Sequence, residues 1–335
     1  MIVIMFVRSK GFRIVLFVSF AIACVIFAVS HPTVSLHDDP IMVRYVQAKE
    51  RLTRLTLQSG EDVALQEFRR TIAADPELSN MCHPLAHEVG HAAYARDGLK
   101  ALDQNDDICG SGYMHGIIES HFLQVTDIKK EMKKTCARDA GKCFHGLGHG
   151  VMYATEDDVP QSVSLCKKLD VVDQQNQCLE GVFMELFETD LRSHPTKYLD
   201  ISRPFYPCNV YTGNTQKVCA FYAPRWYLRL HEGQYTQSLD WCMQQHVAVR
   251  SACIRGVGSV AMKDHMATPL FAHDICMQAA PTEKQDCIAG MAGYYIVHYA
   301  SADRGKELCV QLPLDDLRTC LQVVKDSQRY YPSPR

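Results

Sequence analysis

The stretch that decides the fold is CMQQHVAVRSACIRGVGSVAM, residues 242–262. Its two cysteines, Cys242 and Cys253, stand 11 residues apart, and Gly256 follows the second cysteine by three positions. The 11-residue spacing recurs in three further pairs, Cys208 and Cys219, Cys276 and Cys287, and Cys309 and Cys320. A spacing that recurs this regularly indicates an internal repeat.

The repeat has a period of about 34 residues. One cysteine series has intervals of 34, 35, 41, 34, 34 and 33 residues and comprises Cys109, Cys143, Cys178, Cys219, Cys253, Cys287 and Cys320. A second series comprises Cys136, Cys166, Cys208, Cys242, Cys276 and Cys309. A period of this length is typical of arrays built from one supersecondary unit, so we expect such an array over about residues 60–325.

Each unit is predicted to be a helical hairpin. The segments that follow the second cysteine, such as CIAGMAGYYIVHY at 287–299, are apolar and suit a buried helix, and no strand-like alternation competes. Glycine lowers helix propensity, so its recurrence in these helices indicates close helix–helix approach. The expected fold class is therefore all-α, a solenoid or toroid of hairpins. The repeat length and hairpin form resemble tetratricopeptide-type repeats, which implies an architecture and no function.

The cysteine pattern also predicts disulfides. Apart from Cys24, which lies in an apolar N-terminal segment, the 14 remaining cysteines are an even number, as a disulfide framework requires. We expect one bond across each hairpin turn, and a bond between the two cysteines that have no hairpin partner. The predicted pairs are Cys82–Cys109, Cys136–Cys143, Cys166–Cys178, Cys208–Cys219, Cys242–Cys253, Cys276–Cys287 and Cys309–Cys320.

The N-terminal segment predicts export. Arg8, Lys10 and Arg13 precede an uncharged apolar run at 14–29, whose 16 residues fit either a cleaved signal peptide or a membrane anchor. In both cases the rest of the chain lies outside the cytoplasm, in a periplasm or at a cell surface. If the segment is retained, the membrane is a partner of the protein. A formal net charge of −3 without a basic stripe argues against nucleic-acid binding.

These observations predict five segments along the chain. They are a signal peptide or membrane anchor at 1–30, a linker and leading helix at 31–59, histidine-rich repeats at 60–155, further helical repeats at 156–325, and a tail at 326–335.

Histidine is concentrated in the first repeats. Of the 15 histidines, seven lie between residues 83 and 149, namely His83, His87, His91, His115, His121, His145 and His149. Later repeats carry Ser259 or Gly293 in the position that His115 and His149 occupy, six residues after the second cysteine. The scaffold therefore does not require histidine there, which points to a functional role.

The spacing of these residues predicts a metal site. Pairs four residues apart lie on one side of a helix, so each pair can grip one ion. The predicted ligands are His87, His91, His115, Glu119, His145 and His149, with Glu88, Glu180, Glu185 and Glu188 as further carboxylates nearby. Nitrogen and oxygen donors suit a divalent transition metal, with zinc expected first and iron, manganese or copper as alternatives.

The segment His87-Glu88-Val89-Gly90-His91 resembles the H-E-x-x-H motif of zincin metallopeptidases. This resemblance implies that His87 and His91 bind zinc and that Glu88 is the general base that activates water. It also requires a third ligand, for which Glu119 and His115 are the candidates.

Three functions remain open at this stage. The first is an exported metalloenzyme, either a peptidase-like hydrolase or a metal-dependent oxidoreductase. The second is a helical-repeat scaffold that binds a peptide or protein partner. The third is a protein that stores or delivers metal without catalysis.

Overall fold

The computed structural model describes residues 40–104, 106–136, 143–188 and 196–331, and all regular structure in these ranges is helical. The predicted signal or anchor segment at 1–30, with Cys24, lies outside them. Among the described residues, none of the helices combines the length and the apolar character that crossing a membrane demands. The described residues from Arg44 onward belong to one compact unit. The α-helices are α1 Pro40–Ser59, α2 Glu61–Ala74, α3 Pro76–Asn80, α4 Cys82–Asp97, α5 Ile108–Phe122, α6 Ile128–Thr135, α7 Cys143–Ala154, α8 Val159–Cys166, α9 Val172–Glu188, α10 Gly213–Leu230, α11 Tyr235–Met243, α12 Val247–Asp264, α13 Pro269–Cys276, α14 Lys284–Tyr299, α15 Ala302–Cys309 and α16 Leu314–Ser327.

The predicted all-α fold of disulfide-stapled hairpins is confirmed. In the hairpins, a short first helix (α6, α8, α11, α13 or α15) packs against a longer second helix (α7, α9, α12, α14 or α16). One unit departs from the pattern. Its described residues 196–207 form turns without a helix, and only a 3₁₀-helix at Cys208–Val210 precedes α10. Pro204 and Pro207 account for this, because proline lacks the N–H that a helix interior needs.

The second helices form a closed ring. They pack on one another in the order α4, α5, α7, α9, α10, α12, α14, α16, and α14 also packs against α5. At this closing contact, a Cβ on Gly110 of α5 would lie 3.2 Å from Cγ1 of Val297 on α14. Six of these inner helices, α5 to α14, therefore enclose a central space, which is the toroidal form of the predicted array.

Seven disulfides staple this framework, and they join the same pairs that the cysteine spacing predicts. The bonds are Cys82–Cys109, Cys136–Cys143, Cys166–Cys178, Cys208–Cys219, Cys242–Cys253, Cys276–Cys287 and Cys309–Cys320. All fourteen cysteines are buried. A disulfide set of this density indicates an oxidising, extracytoplasmic environment.

Two glycines of the C-terminal repeats allow neighbouring inner helices to touch through their backbones. A Cβ on Gly290 would lie 1.8 Å from the carbonyl oxygen of Arg255, and one on Gly258 would lie 1.9 Å from that of Cys287. Both distances are far inside van der Waals contact, so α12 and α14 could not pack this closely with any side chain at either position. The helix-propensity cost of these glycines is therefore explained by packing.

We expect Gly290→Ala to lower the free energy of unfolding by about 1–3 kcal/mol, because α14 must move away from the Arg255 carbonyl. Gly293→Ala, one turn later on the same helix, is the matched control. Its Cβ would meet only Cγ1 of Val323, at 4.0 Å, so stability should be unchanged or rise by up to about 1 kcal/mol. Urea unfolding of the oxidised proteins measures both values, and equal losses would show that backbone contact is not what requires glycine.

Candidate metal centre

A buried carboxylate, Glu119 of α5, lies at the middle of the histidine cluster. Its side chain has no exposed surface. His91 Nε2 on α4 is 2.7 Å from Glu119 Oε2, and His87 Nδ1, one turn earlier, is 3.0 Å from Oε1. From the other side, His149 Nδ1 on α7 lies 3.7 Å from Oε1. The two inner helices on either side of α5 thus direct imidazole nitrogens at one carboxylate.

Glu119 is ionised, although it is buried. Burial by itself raises the pKa of this carboxyl, but the adjacent His87, His91 and His149 lower the pKa well below its usual value. Its Oε1 accepts no hydrogen bond from the described residues, since the nearby imidazoles do not meet it in hydrogen-bond geometry. A buried, charged oxygen without a hydrogen bond is costly, and a cation would remove that cost.

A second carboxylate, Glu185 of α9, extends the cluster. Its Oε2 is 2.8 Å from His149 Nδ1. Two sets of possible ligand atoms share Glu119, and within each set all the atoms lie within 4.8 Å of one another. One set is His87, His91 and Glu119, and the other is Glu119, His149 and Glu185. A carboxylate shared by two sets could serve a single ion or bridge two ions.

A third set consists of imidazoles alone, those of His83, His115 and His149. His83 Nδ1 lies 2.6 Å from the carbonyl oxygen of Cys109, to which it can only donate. The Nε2 of a neutral His83 is therefore an open lone pair, and it lies 3.0 Å from His87 Nε2. Ligand nitrogens held about 2.0–2.1 Å from one ion are separated by about 3.0–3.4 Å, which is the spacing seen here.

The direction of the Cys109 carbonyl follows from an unusual backbone conformation. Cys109 and Ser111 have φ of 56° and 62°, on either side of Gly110 at 66°, so three left-handed residues open α5. Such conformations are strained for residues with a side chain and persist where surrounding structure enforces them. Here the Cys82–Cys109 disulfide holds one of the strained residues against α4, and the carbonyl meets His83.

His115 and His145 complete the cluster from α5 and α7. The ring of His115 stacks on those of His145 and His149 at centroid distances of 5.0 and 4.8 Å, and its buried Nδ1 has no hydrogen bond among the described residues. His145 Nε2 lies 3.3 Å from His149 Nε2. Burial, and then the neighbouring imidazoles, lower the pKa of His83, His115 and His149, which keeps these rings neutral as metal ligation requires.

Glu88, the base implied by the zincin resemblance, lies at the edge of the cluster. It forms an ion pair with Lys49 of α1 and lies 3.7 Å from His91 Nδ1, and it belongs to none of the three converging sets. Burial raises the pKa of Glu88, but His91 and Lys49 outweigh this effect, so the pKa lies below its ordinary value and the group is ionised. His91 is affected in the opposite sense, because Glu119 and Glu88 outweigh burial and raise its pKa to about 9.

The structure thus brings together five of the six predicted ligands, His87, His91, His115, Glu119 and His149, in sets of three. The sixth, His145, contacts His149 but completes no such set. Two residues were left out of the predicted ligand set. His83 is four residues before His87 and could have been found from that spacing, whereas Glu185 gave no signal beyond lying near the cluster in sequence.

A fourth convergent group, Cys82, Cys109 and His298, is not a metal site, because its two sulfurs are bonded to each other. It lies instead at the wall of the central cavity, which has a volume of about 1160 Å³. His83, His115 and His145 line the same cavity. The imidazole side of the cluster therefore faces a space that is large enough for a small molecule.

The pH dependence of stability should report on His298. Its Nδ1 lies 3.6 Å from Cys82 Sγ, and burial, followed by the charge of Lys263, lowers the pKa of His298 from 6.5 to about 4. Because the unfolded chain binds this proton more tightly, the contribution of neutral His298 is complete above pH 6.5 and is lost as the pH falls toward 4.

We therefore expect the stability difference between wild type and His298→Gln to shrink by about 1.4 kcal/mol per pH unit between pH 6 and about pH 4.5. Urea unfolding at stepped pH values measures this difference, and the variant controls for every other titrating group. A difference that does not change with pH would mean that His298 has an ordinary pKa.

Comparison of the chain with protein-family models, curated proteins and solved structures gives no match. Neither resemblance noted in the sequence, to tetratricopeptide-type repeats or to zincins, is therefore supported by a relative. The established features are the helical repeats, the seven disulfides and the His/Glu groups that could hold a metal ion. Any assignment of function has to come from the geometry of these groups.

Proposed function

We propose that this protein is an extracytoplasmic metal-dependent enzyme, most simply a hydrolase, that acts on a small molecule bound in the central cavity. The observation that carries the proposal is the ionised, fully buried Glu119, whose Oε1 accepts no hydrogen bond among the described residues although His87 Nδ1 lies 3.0 Å and His149 Nδ1 lies 3.7 Å from it. A divalent cation would satisfy this oxygen and the open imidazole nitrogens together. Ligand residues on α4, α5 and α7 would hold it.

The position of the cluster favours catalysis over a purely structural ion. Structural zinc sites are closed by four protein ligands, whereas catalytic sites keep one position open to water or substrate. Here His83, His115 and His145 border the cavity, so an ion bound to this face would be reachable from it. A metal in this position would supply Lewis-acid activation of water or of a carbonyl or phosphoryl group.

The chain's own residues would divide the remaining work. The Cys109 carbonyl and Glu185 each hold the Nδ1 of an imidazole, which turns the Nε2 of His83 and His149 toward the ion. Glu119 supplies negative charge to balance the metal. Glu88 is the proposed base, and its ionised state is what a base requires, although Lys49 and His91 hold it at the edge of the cluster.

Zinc is the proposed metal, with iron, manganese and copper as alternatives. Imidazole nitrogen with carboxylate oxygen suits this group of ions, and the fourteen cysteines in disulfides cannot supply thiolate. Iron or copper would turn the proposed hydrolysis into oxidative chemistry at the same residues.

Metal storage or delivery would use the same ligands but would need no site for a substrate. The cavity beside the ligands therefore favours catalysis over storage. A scaffold for a peptide or protein partner needs an open groove, whereas α14 closes the ring against α5. Attachment to a membrane through the N-terminal segment is a further proposal that none of these contacts tests.

Elemental analysis of the purified, oxidised full chain tests the metal site. We expect a stoichiometric transition metal in the wild type and its loss from the double variant His87→Ala/His115→Ala. His231→Ala/His265→Ala removes two histidines that lie outside the cluster and should retain the metal. A wild type without metal, or full retention by the first double variant, would reject the proposed centre.

Carboxylate variants should separate the roles of the acidic residues. Glu185→Gln keeps an acceptor for His149 Nδ1 but removes the charge, so metal affinity should fall by about 10–100-fold. Glu180→Gln is the control on the same helix, because Glu180 is half exposed and lies 3.8 Å from His145 Nδ1, and it should change affinity little. Competition with a chelator measures these affinities, and equal effects of the two substitutions would contradict the role of Glu185.

Glu88→Gln should leave metal content and affinity unchanged if Glu88 is a base and not a ligand. The same chelator competition measures this. A loss comparable to that of Glu185→Gln would instead place Glu88 among the residues that hold the ion.

A further inference from the structure

A second group of buried charges lies on α9, α10 and α12, and two of its members line the central cavity. Arg225 Nη2 donates to Glu188 Oε1 at 3.0 Å, and Lys263 forms an ion pair with the other oxygen of the same carboxylate. The side chains of all three are at least four-fifths buried. Two cations therefore share one buried anion.

The other anion near this group does not restore the balance inside the ring. Asp264 Oδ1 is 3.5 Å from Arg225 Nη1, but its side chain is 45% exposed and its charge is screened by water. In addition, Arg225 Nε is buried and donates no hydrogen bond among the described residues. Two cations, Arg225 and Lys263, thus share a single buried anion, Glu188, and the buried Nε–H of Arg225 has no acceptor among the described residues.

Lys263 is the member of this group that combines excess charge with access to the cavity. Lys263 and Glu188 both line the cavity. Burial and the charge of Arg225 lower the pKa of Lys263, against the opposing effect of Glu188. His83 of the imidazole cluster lines the same cavity.

The cavity has a notch beside this cation. In six repeats the residue six positions after the second cysteine belongs to the inner helix. These residues are His115, His149, Met184, Arg225, Ser259 and Gly293, of which the last two are the smallest. Ser259 and Gly293 both line the cavity. Packing does not require glycine at 293, since an added Cβ would meet only Val323 Cγ1, at 4.0 Å.

The aromatic residues Phe221, Tyr222 and Tyr294 line the same cavity. They provide an apolar part of a wall that otherwise carries many polar and charged side chains. A site for a small molecule combines such an apolar surface with polar groups that fix its orientation.

We propose that the central cavity binds a small molecule that carries a carboxylate or phosphate group, with the anionic group on Lys263 and the apolar body over Ser259 and Gly293. This proposal names the substrate class for the proposed metal-dependent function and rests on it for the reaction. The binding itself does not need the metal, because the cation, the notch and the aromatic lining belong to the protein. Bound in this way, the molecule would lie next to the imidazole cluster.

Calorimetric titration of the chelator-treated full chain with phenyl phosphate and with benzoate tests the proposal. The two probes share an aromatic body and differ in the anionic group, so they identify which anion the site prefers. We expect one or both to bind the metal-free wild type. Lys263→Met should weaken binding by about tenfold or more, because a charge-assisted contact is lost. Lys306→Met, on the exposed face of α15, is the matched control and should bind as the wild type does.

Gly293→Leu provides an independent test that does not disturb the ion pairs. The new side chain should fill the notch and reduce binding of both probes by at least about tenfold, whereas thermal stability should be unchanged or higher. This variant keeps the proposal testable if Lys263→Met fails to fold.

Three results would overturn the proposal. They are no binding of either probe to the metal-free wild type at millimolar concentration, unchanged binding by a folded Lys263→Met, and unchanged binding by Gly293→Leu. Binding that needs added zinc and ignores Lys263→Met would place the anion on the metal, which overturns this proposal and leaves the metal centre intact. Absence of metal from the wild type, with binding as expected, would reject only the proposed reaction.

Discussion

Backbone contact between consecutive inner helices is the constraint on which the candidate site depends. A Cβ on Gly116 of α5 would lie 2.1 Å from the carbonyl oxygen of His87, and one on Gly148 of α7 would lie 2.1 Å from that of Cys178. Helices with side chains at these positions would pack farther apart. Because the backbones touch, short side chains such as histidine and glutamate can meet across two helix interfaces. The disulfides act on the same geometry, since each one ties an inner helix to the residues that precede it.

The cluster that results surrounds one buried carboxylate with imidazoles. Glu119 is ionised and buried, and an isolated buried carboxylate costs several kcal/mol unless a cation or hydrogen bonds compensate it. His91, whose pKa is raised to about 9, compensates Oε2 of this carboxylate, but Oε1 accepts no hydrogen bond among the described residues. A divalent ion would satisfy the carboxylate and the open nitrogens at once. Metal binding and stability would then be coupled, so that the ion contributes to folding free energy as well as to chemistry.

The ring uses one scaffold to present two different polar groups. On one side the repeat position six residues after the cysteine carries His115 and His149, and on the other it carries Arg225, Ser259 and Gly293. Each of these residues lies on an inner helix that a disulfide holds, and His115, Ser259 and Gly293 line the cavity. These three positions can contact whatever occupies it. A buried cation and a group of possible metal ligands that line one cavity suit a molecule with an anionic end and a reactive end.

The sequence by itself determined the features that depend on local spacing. The 34-residue period, the 11-residue cysteine pairs and the four-residue histidine pairs predicted the helical hairpins, their disulfides and the helices that carry the ligands. Ring closure, the carbonyl partner of His83, the approach of Glu185 to His149 and the pairing of Lys263 with Glu188 were decided only by the tertiary structure. These contacts depend on the small rotation and shift between successive hairpins, summed over several repeats, and no spacing within one repeat encodes that sum.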